Sequence, residues 1–370
     1  LCALPAAAAD QTCPSSKSDP VVFVHGLMGW GERAGLNSVL PYWGMTTGSL
    51  TAYLNSLGYE TYSATVGPIS GAWDRACELY AQLTGTTVDY GAAHSAAHSH
   101  ARYGIAYDRP LFDGWGTRRA VNLVGHSFGG ATTRLFLELM TNGSAEEVAA
   151  AKAAGTTPSP LFTGGKSSWV HSMTEVAAPH NGTTFIESNG TIMDVSTNLA
   201  ETLAKGFGIT ELKNLLDFQL EQFGIYKDPD ETVLETLQRV FSTDFLSHND
   251  NVFRDLTIDR ALELNDDIEI QPNVYYFSYA GDKTRQSSAT GERTSAVDMT
   301  PLFVPFANRM CSYYDQTTAG GFRIDKTWAP NDGLVNTVSA LYPTDSAGRC
   351  LTKSGQTGYI QQDGYSNVSY

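Results

Sequence analysis

A strand, a tight turn and a helix follow one another without a gap in VNLVGHSFGGATTRLFLELM, residues 121–140. The apolar run ends at Val124, and Ser127 then lies between Gly125 and Gly129 in a G-x-S-x-G pattern. The two glycines permit a turn so sharp that the serine hydroxyl stands clear of the sheet, beside a helix N-terminus that favours negative charge. The pattern therefore predicts a parallel-sheet protein in which Ser127 is a catalytic nucleophile.

Strand-like and helical patterns alternate along most of the chain, and this alternation predicts an α/β fold with a mostly parallel central sheet. The strand-like runs are VVFVHG, ETYSATV, AVNLVG, SWVHSMTEVAAPH and NVYYFSYAG. Helical periodicity covers 48–57 and 128–140, and a further helix, WDRACELYAQLTG, is expected to stop at Gly85. We expect residues 10–370 to form one domain.

A helical stretch without a clear strand, between about 184 and 265, interrupts this alternation. Within it, four apolar residues lie at i, i+4, i+8 and i+11, which predicts a helix with a single apolar stripe. These residues are Leu212, Leu216, Leu220 and Phe223. We interpret the insertion as a helical lid. A helix docked on the core in the ordinary way is the alternative that the pattern leaves open.

The first residues, LCALPAAAAD, are apolar, lack an initiating Met and end in small side chains like those of a signal-peptide cleavage site. We interpret 1–9 as the remnant of a secretory signal, and a disordered Ala-rich arm is the alternative. Secretion permits disulfides in any of three pairings, but buried free thiols fit the remaining cysteines equally well. These cysteines are Cys13, Cys77, Cys311 and Cys350.

The charge of the chain argues against two classes of partner. There are 39 acidic and 24 basic side chains, which give a formal net charge of −15. Such a chain is poorly suited to nucleic acid or to an anionic membrane surface as its main partner. No apolar run approaches the roughly 20 residues that a membrane-spanning helix needs, so we expect no transmembrane segment.

The segment HGLMGWG follows the first predicted strand directly and is a candidate oxyanion loop. In a site of this kind, one backbone N–H of an early loop and the N–H after the nucleophile stabilise the negative charge of the tetrahedral intermediate. This rule assigns the backbone N–H groups of Leu27 and Phe128. His25 is then more simply a structural anchor of the loop than a catalytic group.

Five segments together resemble the thermoalkalophilic bacillus-type true lipases and their staphylococcal relatives. In chain order they are FVHGLMGWG, VGPISGAWDRACELYAQLTGTTVDYGAAHSAAHSHARYG, GHSFGG, AAPHNGTT and WAPNDGLVNT. The block that starts at Val66 is the most specific of them. The resemblance implies an α/β-hydrolase fold with a helical lid. It also implies a secreted enzyme that hydrolyses triacylglycerol esters at a lipid–water interface, with a short-chain carboxylesterase as a close alternative.

The triad acid follows the nucleophile in the chain order Ser…Asp…His, and Asp332 in a Pro/Asn/Gly turn is the candidate. Aspartates in turns are common, so the residues alone do not single it out. The resemblance implies that Asp332 is the acid, because it matches the acid of the family motif.

The base of the triad is the open question. None of the eight histidines lies after Asp332, where this chain order requires the base. The resemblance implies that a segment like YSNVSY continues within a few residues into Asp-His. We therefore interpret the chain as an inactive fragment of a lipase that ends before its histidine. The alternative is a catalytically inactive lipid- or partner-binding protein on a lipase scaffold.

Three histidines within DYGAAHSAAHSHARYG indicate either a metal site or a polar surface loop. Helical geometry alone pairs His94 with His98, one turn apart. The resemblance implies another set, in which the family's zinc ligands match Asp74, His94, His100 and Asp250. Two imidazoles and two carboxylates close a tetrahedral shell, so the expected zinc is structural rather than catalytic.

The resemblance also implies a structural calcium ion. Most of its ligands would follow Tyr370, with one backbone carbonyl near Asp298. We expect calcium, if at all, in a full-length protein and do not assign it to these 370 residues.

Overall fold

The computed structural model describes residues 19–190, 192–213 and 215–351. The strands are β1 (Val21–Val24), β2 (Thr61–Ala64), β3 (Thr87–Asp89), β4 (Tyr103–Ala106), β5 (Val121–His126), β6 (Val170–Val176), β7 (Tyr275–Tyr279), β8 (Thr284–Gln286), β9 (Arg293–Ser295), β10 (Gln316–Thr317) and β11 (Arg323–Ile324). The α-helices are α1 (Leu50–Ser56), α2 (Ala72–Thr84), α3 (Ala92–His98), α4 (Gly129–Thr141), α5 (Ala145–Ala153), α6 (Thr184–Ser188), α7 (Ile192–Gly206), α8 (Val233–Ser242), α9 (Val252–Asp255), α10 (Ile258–Asp267), α11 (Val304–Ser312) and α12 (Thr337–Leu341).

Five parallel strands form the central sheet in the order β2-β1-β5-β6-β7. Each of the five runs that the sequence marks as a strand contributes one of them. The remaining described strands pair as antiparallel two-stranded ribbons, β3 with β4, β8 with β9 and β10 with β11. The expected α/β class with a mostly parallel sheet is therefore confirmed.

Strand β5 and helix α4 place the G-x-S-x-G turn at the carboxyl end of the sheet. Val121 and Leu123 of β5 are fully buried between β1 and β6. On α4, Phe136 and Met140 are also fully buried, and this helix packs against α2. Each such side chain contributes roughly 1.5–3 kcal/mol through burial. The turn is thus held between a strand and a helix that are both anchored in the core.

The helical insertion is confirmed as helix-rich, since 184–265 contains α6 to α9 and most of α10. The described residues of this stretch include isolated β-bridges but no strand. The helix predicted through Leu212, Leu216, Leu220 and Phe223 is wrong. Among the described residues of 211–224, only a short 3₁₀ turn, Glu221–Phe223, is helical.

The failed helix has a local physical cause. The apolar residues of this stretch fit a period of two as well as one of four, and Leu216, Phe218 and Leu220 are all buried along irregular backbone. Asp217 Oδ1 accepts a hydrogen bond from the Gln219 N–H at 2.9 Å, a turn that competes with helix. Gln219 itself has a φ of 51°, which no α-helix contains.

The cysteines of the described core are thiols. Cys77 on α2 and Cys311 on α11 are both buried and free. Cys13 and the interpreted signal remnant, 1–9, lie outside the described residues. Among the described helices, none is both long and apolar enough to cross a membrane.

Candidate active site and metal cluster

Ser127 occupies a strained position between β5 and α4. Its φ is 53°, in the left-handed region that costs a non-glycine residue of order 1–3 kcal/mol. The Ser127 N–H donates to the Val176 carbonyl at 2.8 Å, which ties the turn to the end of β6. Helix α4 begins two residues later, at Gly129. Strain that the surrounding structure enforces in this way is typical of a functional site.

Three glycines around the turn are required by close packing. A Cβ on Gly129 would lie 2.2 Å from the Val24 carbonyl oxygen, and one on Gly26 would lie 2.7 Å from the Ser127 Cβ. A Cβ on Gly125 would meet the carboxylate of Glu175 at 2.5 Å. The two motif glycines therefore permit the approach of strand, loop and helix, as the sequence pattern predicts.

Ser127 and Asp332 both line one cavity of about 290 Å³. The other walls are mostly apolar and come from the oxyanion loop, the insertion and the C-terminal third of the chain. Apolar lining residues include Leu27, Phe185, Leu199, Leu203, Phe207, Leu256, Met299, Phe303, Leu334 and Val335. Leu199 and Leu203 belong to α7, so the insertion contributes directly to this cavity. An apolar cavity with a few polar groups suits an aliphatic ligand.

Asp332 is held by its own turn. Its Oδ1 accepts hydrogen bonds from the backbone N–H groups of Leu334 at 3.0 Å and Val335 at 2.8 Å. Desolvation raises the pKa of Asp332, and these hydrogen bonds oppose that effect. A carboxylate fixed in this way beside a cavity can orient an imidazole.

The backbone amides of Leu27, which lines the cavity, and of Phe128, which follows the cavity-lining Ser127, are the candidate oxyanion donors. Within the described part of the chain, neither amide donates a hydrogen bond, although the next amide of the loop, that of Met28, donates to the Pro68 carbonyl at 2.9 Å. Phe128 is the residue before α4, so its N–H lies at a helix N-terminus, where partial positive charge favours an anion.

His25 acts inside the loop rather than toward the cavity. Its Nδ1 donates to the Gly26 carbonyl at 2.9 Å, and its Nε2 accepts from the Val66 N–H at 3.3 Å. Because one partner can only accept and the other can only donate, the imidazole is neutral with its proton on Nδ1. Burial, with the nearby Arg75 charge, lowers the pKa of His25 to about 3. These contacts agree with the expected anchor role.

Two residues at the site carry no signal in the sequence motifs. The hydroxyl of Tyr42 contacts His126 Nδ1 at 2.6 Å, and both side chains line the cavity. Arg75 is fully buried on α2 and reaches the carbonyl of His25. The burial of these polar side chains and their contacts depend on the tertiary structure, so the sequence pattern does not mark them as site residues.

The structure brings the four proposed metal ligands together. Asp74, His94, His100 and Asp250 each offer a ligand atom, and these atoms lie within 4.8 Å of one another. Asp74 lies in the first turn of α2, His94 is on α3, and Asp250 comes from the insertion. His98 is outside the group, although its ring lies 4.4 Å from that of His94. The set taken from the resemblance is therefore the one that could hold a metal.

The donor atoms of this cluster fit a small divalent cation. Asp74 Oδ1 and His100 Nε2 are buried and, within the described residues, have no hydrogen-bond partner at close range; the nearest charged atoms, His94 Nε2 and Asp250 Oδ2 respectively, lie 3.4 Å away. Such groups are costly unless they coordinate something. The outer shell is also built: Gln222 Nε2 donates to Asp74 Oδ2 at 2.8 Å, and Trp73 stacks on His94 with ring centroids 4.9 Å apart.

The close packing of the four side chains shifts their pKa values. Burial lowers the pKa of His94, but hydrogen bonds and charge from Asp250 and Asp74 outweigh it and raise the pKa to about 10. Desolvation and the Asp250 charge raise the pKa of Asp74. Since imidazole binds metal only when neutral, cation binding must displace a proton here.

The fold and the strand–turn–helix site together define an α/β-hydrolase. Residues 17–366 match the family described as "Lipase-like, C-terminal domain", and the chain belongs to that family. Its resemblance to staphylococcal lipases is also confirmed. A lipase of Staphylococcus epidermidis is 34% identical over 361 residues, which are 95% of this chain and 50% of the relative. The chain thus spans about half the length of the curated relatives it matches.

Solved structures agree with this assignment. EstA from Clostridium botulinum is similar with a TM-score of 0.81 and 37% identity, covering 94% of this chain and 78% of that one. Lipase 1 from Pelosinus fermentans is similar with a TM-score of 0.73 and 42% identity, covering 87% and 83%.

Proposed function

We propose that this chain forms the catalytic domain of a secreted triacylglycerol lipase. The observation that carries the proposal is the strained Ser127, which shares one apolar cavity with Asp332. An apolar cavity suits the acyl chain of a lipid ester, and the serine supplies the nucleophile. The lipase relatives support the same reaction class.

In the proposed mechanism, the Ser127 hydroxyl attacks the ester carbonyl and gives its proton to a histidine base. The backbone N–H groups of Leu27 and Phe128 hold the oxyanion, and Asp332 orients the imidazole. The alcohol leaves with the proton from the base, and water then hydrolyses the acyl-enzyme. These roles are supported by the two amides, which donate no hydrogen bond within the described residues, and by the carboxylate held in its own turn.

His126 lines the cavity but is a poor candidate for this base. Its Nδ1 accepts the Tyr42 hydroxyl, and burial lowers the pKa of His126 to about 4. A base this weak withdraws little proton density from a serine hydroxyl. We therefore propose that the base is not His126 but the histidine that the family resemblance implies.

We also propose that the four-residue cluster holds a structural zinc ion. Two imidazoles and two carboxylates fill a tetrahedral shell, so the ion would crosslink α2, α3 and the base of the insertion and leave no position for substrate. The buried atoms Asp74 Oδ1 and His100 Nε2, which have no close hydrogen-bond partner among the described residues, support this assignment.

The deciding experiment measures ester hydrolysis by two proteins, the 370 residues and the same chain with any residues that its coding sequence places after Tyr370. Triacylglycerol emulsions and a soluble short-chain ester are the substrates, and Ser127→Ala is the control for each length. We expect the extended chain to hydrolyse the emulsion and the alanine variant to lose that activity. Preference for the soluble ester would favour a carboxylesterase instead. Lipid binding without hydrolysis at either length would support a non-catalytic binding protein.

A further inference from the structure

Arg75 joins the oxyanion loop to the nucleophile helix. It is fully buried, and its Nη2 donates to the His25 carbonyl, two residues before Leu27. Its Nε donates to Thr132 Oγ1 on α4 at 2.8 Å. Its guanidinium carbon lies 5.3 Å from the ring centroid of Phe128. One side chain thus contacts both backbone segments that carry the proposed oxyanion donors.

Tyr42 joins the same two segments from the cavity side. The Gly26 N–H donates to the Tyr42 hydroxyl oxygen at 3.1 Å. That hydroxyl in turn donates to His126 Nδ1 at 2.6 Å, because an oxygen that accepts the amide proton still has its own proton to give. Desolvation raises the pKa of Tyr42 to about 12, so the phenol keeps that proton.

The two side chains hold opposite ends of a single peptide unit. Arg75 holds the carbonyl of His25, and Tyr42 holds the N–H of Gly26, which belongs to the same planar amide. The next peptide unit carries the Leu27 N–H. The carbonyl of that unit, which belongs to Gly26, accepts a hydrogen bond from His25 Nδ1 at 2.9 Å. We call Arg75 and Tyr42 together the clamp. No backbone dihedral between the clamp and the Leu27 amide can change without breaking one of these hydrogen bonds.

We propose that Arg75 and Tyr42 are positioning residues that set the separation and direction of the Leu27 and Phe128 N–H groups. This inference rests on the proposed function, because it assigns the two amides to an oxyanion. The clamp is needed because stabilisation of an oxyanion depends on donors that are already aimed when the charge develops, and losing one donor costs about 10²–10³ in kcat.

The test compares Arg75→Lys and Tyr42→Phe in a protein of the length that hydrolyses esters, with a soluble short-chain ester as substrate. Arg75 also donates from Nη1 to the Gly67 carbonyl at 2.8 Å, and lysine keeps the charge but cannot reach all three of its acceptors. Phenylalanine keeps the ring of Tyr42 without the hydroxyl. We expect kcat to fall by about 10² in each variant while KM changes by less than about 3-fold. The double variant should lose less than the product of the two, because both hold one peptide unit.

Matched controls separate positioning from general destabilisation. Arg134→Lys replaces an equally buried arginine of α4 that bonds Asn265 instead of the loop, and Tyr53→Phe replaces an exposed tyrosine. Amide hydrogen exchange at Gly26, measured in every variant, reports the clamp without turnover. We expect faster exchange in Arg75→Lys and Tyr42→Phe only.

Three results would overturn the inference. The first is a kcat within about 3-fold of wild type in both clamp variants. The second is an equal loss of kcat in Arg134→Lys, and the third is unchanged exchange at Gly26. A wild-type protein without ester hydrolysis would instead defeat the proposed function, and the exchange measurement would still decide whether the clamp exists.

Discussion

The nucleophile turn and the metal cluster are assembled in opposite ways. The turn is contiguous: β5, Ser127 and α4 follow one another directly in sequence. The cluster is dispersed, because His94 and Asp250 lie 156 positions apart and meet only when the insertion folds against α2 and α3. A local sequence motif can therefore predict the Ser127 turn, whereas the four-residue cluster is recognised only from the tertiary structure or a family resemblance.

The two regions also differ in the kind of free-energy cost that each adds to folding. At the turn the cost is conformational, a serine held at a φ of 53°. At the cluster it is electrostatic, since Asp74 Oδ1 and His100 Nε2 are buried without hydrogen-bond partners in the described structure. Each cost marks a place where the sequence departs from what stability alone favours, and such departures concentrate at functional sites. We therefore expect a substitution at one of the two sites to leave the other site intact.

The largest expected effect comes from Ser127→Ala. Ester hydrolysis should fall by about 10⁴–10⁶ in the protein length that is active, because the nucleophile and its base act as one unit. Zinc content, measured by metal analysis, should not change. Ser38→Ala, at an exposed serine, is the control and should keep full activity. A Ser127→Ala protein that lost its metal would show that the two sites are not separate.

The next largest effect separates His100 from His98. His100→Ala should abolish stoichiometric metal binding, and it should remove the stabilisation that excess zinc gives, about 4 kcal/mol at a thousand times Kd. His98→Ala, one turn from His94, is the matched control and should keep both. Thermal unfolding with and without zinc measures the difference. Metal lost from His98→Ala but kept by His100→Ala would reverse the assignment.

A third prediction concerns pH and the buried Glu175 beneath the turn. Desolvation raises the pKa of Glu175 from 4.5 to about 8, against a hydrogen bond from Thr133 and the charge of Arg134. Because the pKa of this acid is raised in the folded state, its contribution to the free energy of unfolding is fully present below about pH 4.5 and is lost as pH rises toward 8.

Glu175→Gln removes this dependence. The free energy of unfolding of wild type relative to the variant should fall with rising pH by up to about 1.4 kcal/mol per unit between pH 5 and 8. Urea titrations at three pH values measure it, and Glu146→Gln, at an exposed site on α5, is the control. Parallel pH profiles for wild type and Glu175→Gln would contradict the prediction.

The sequence predicts the framework well for physical reasons that differ by element. The central strands β1 and β5 are short, mostly apolar runs, and α2 is capped by Gly85 with a φ of 66°, as a glycine cap should be. The failure at 211–224 has the converse cause. Its apolar spacing satisfies two periods at once, and the Asp217 turn decides between them only in the folded chain.

The site shows the same division. Local glycine patterns predict Ser127 and the candidate oxyanion loop, whereas the four residues of the cluster were assigned only through the family resemblance. Arg75 and Tyr42 follow no such pattern, because they bond backbone atoms 8 to 50 positions away and side chains of other segments. A side chain whose function is to hold another segment's backbone leaves no periodic or spacing signal.

The smallest expected effect tests whether the insertion couples the two regions. Thr232 caps α8 in a reciprocal pair with Glu235, whose carboxylate accepts from the Thr232 N–H at 2.8 Å. Thr232→Ala should lower stability by about 0.5–2 kcal/mol, and Thr232→Ser, which keeps the cap, should change it little. Helix α8 packs on α7, which lines the cavity, and the same insertion supplies Asp250.

If the insertion is one cooperative unit, loosening α8 should lower both emulsion hydrolysis and zinc affinity by a similar small factor, about 2-fold. A change in hydrolysis with unaltered zinc affinity would show that α7 and α8 move independently of the segment that carries Asp250. In that case the insertion is two units, one that belongs to the cavity and one that belongs to the cluster, and the separation of the two sites extends through the insertion itself.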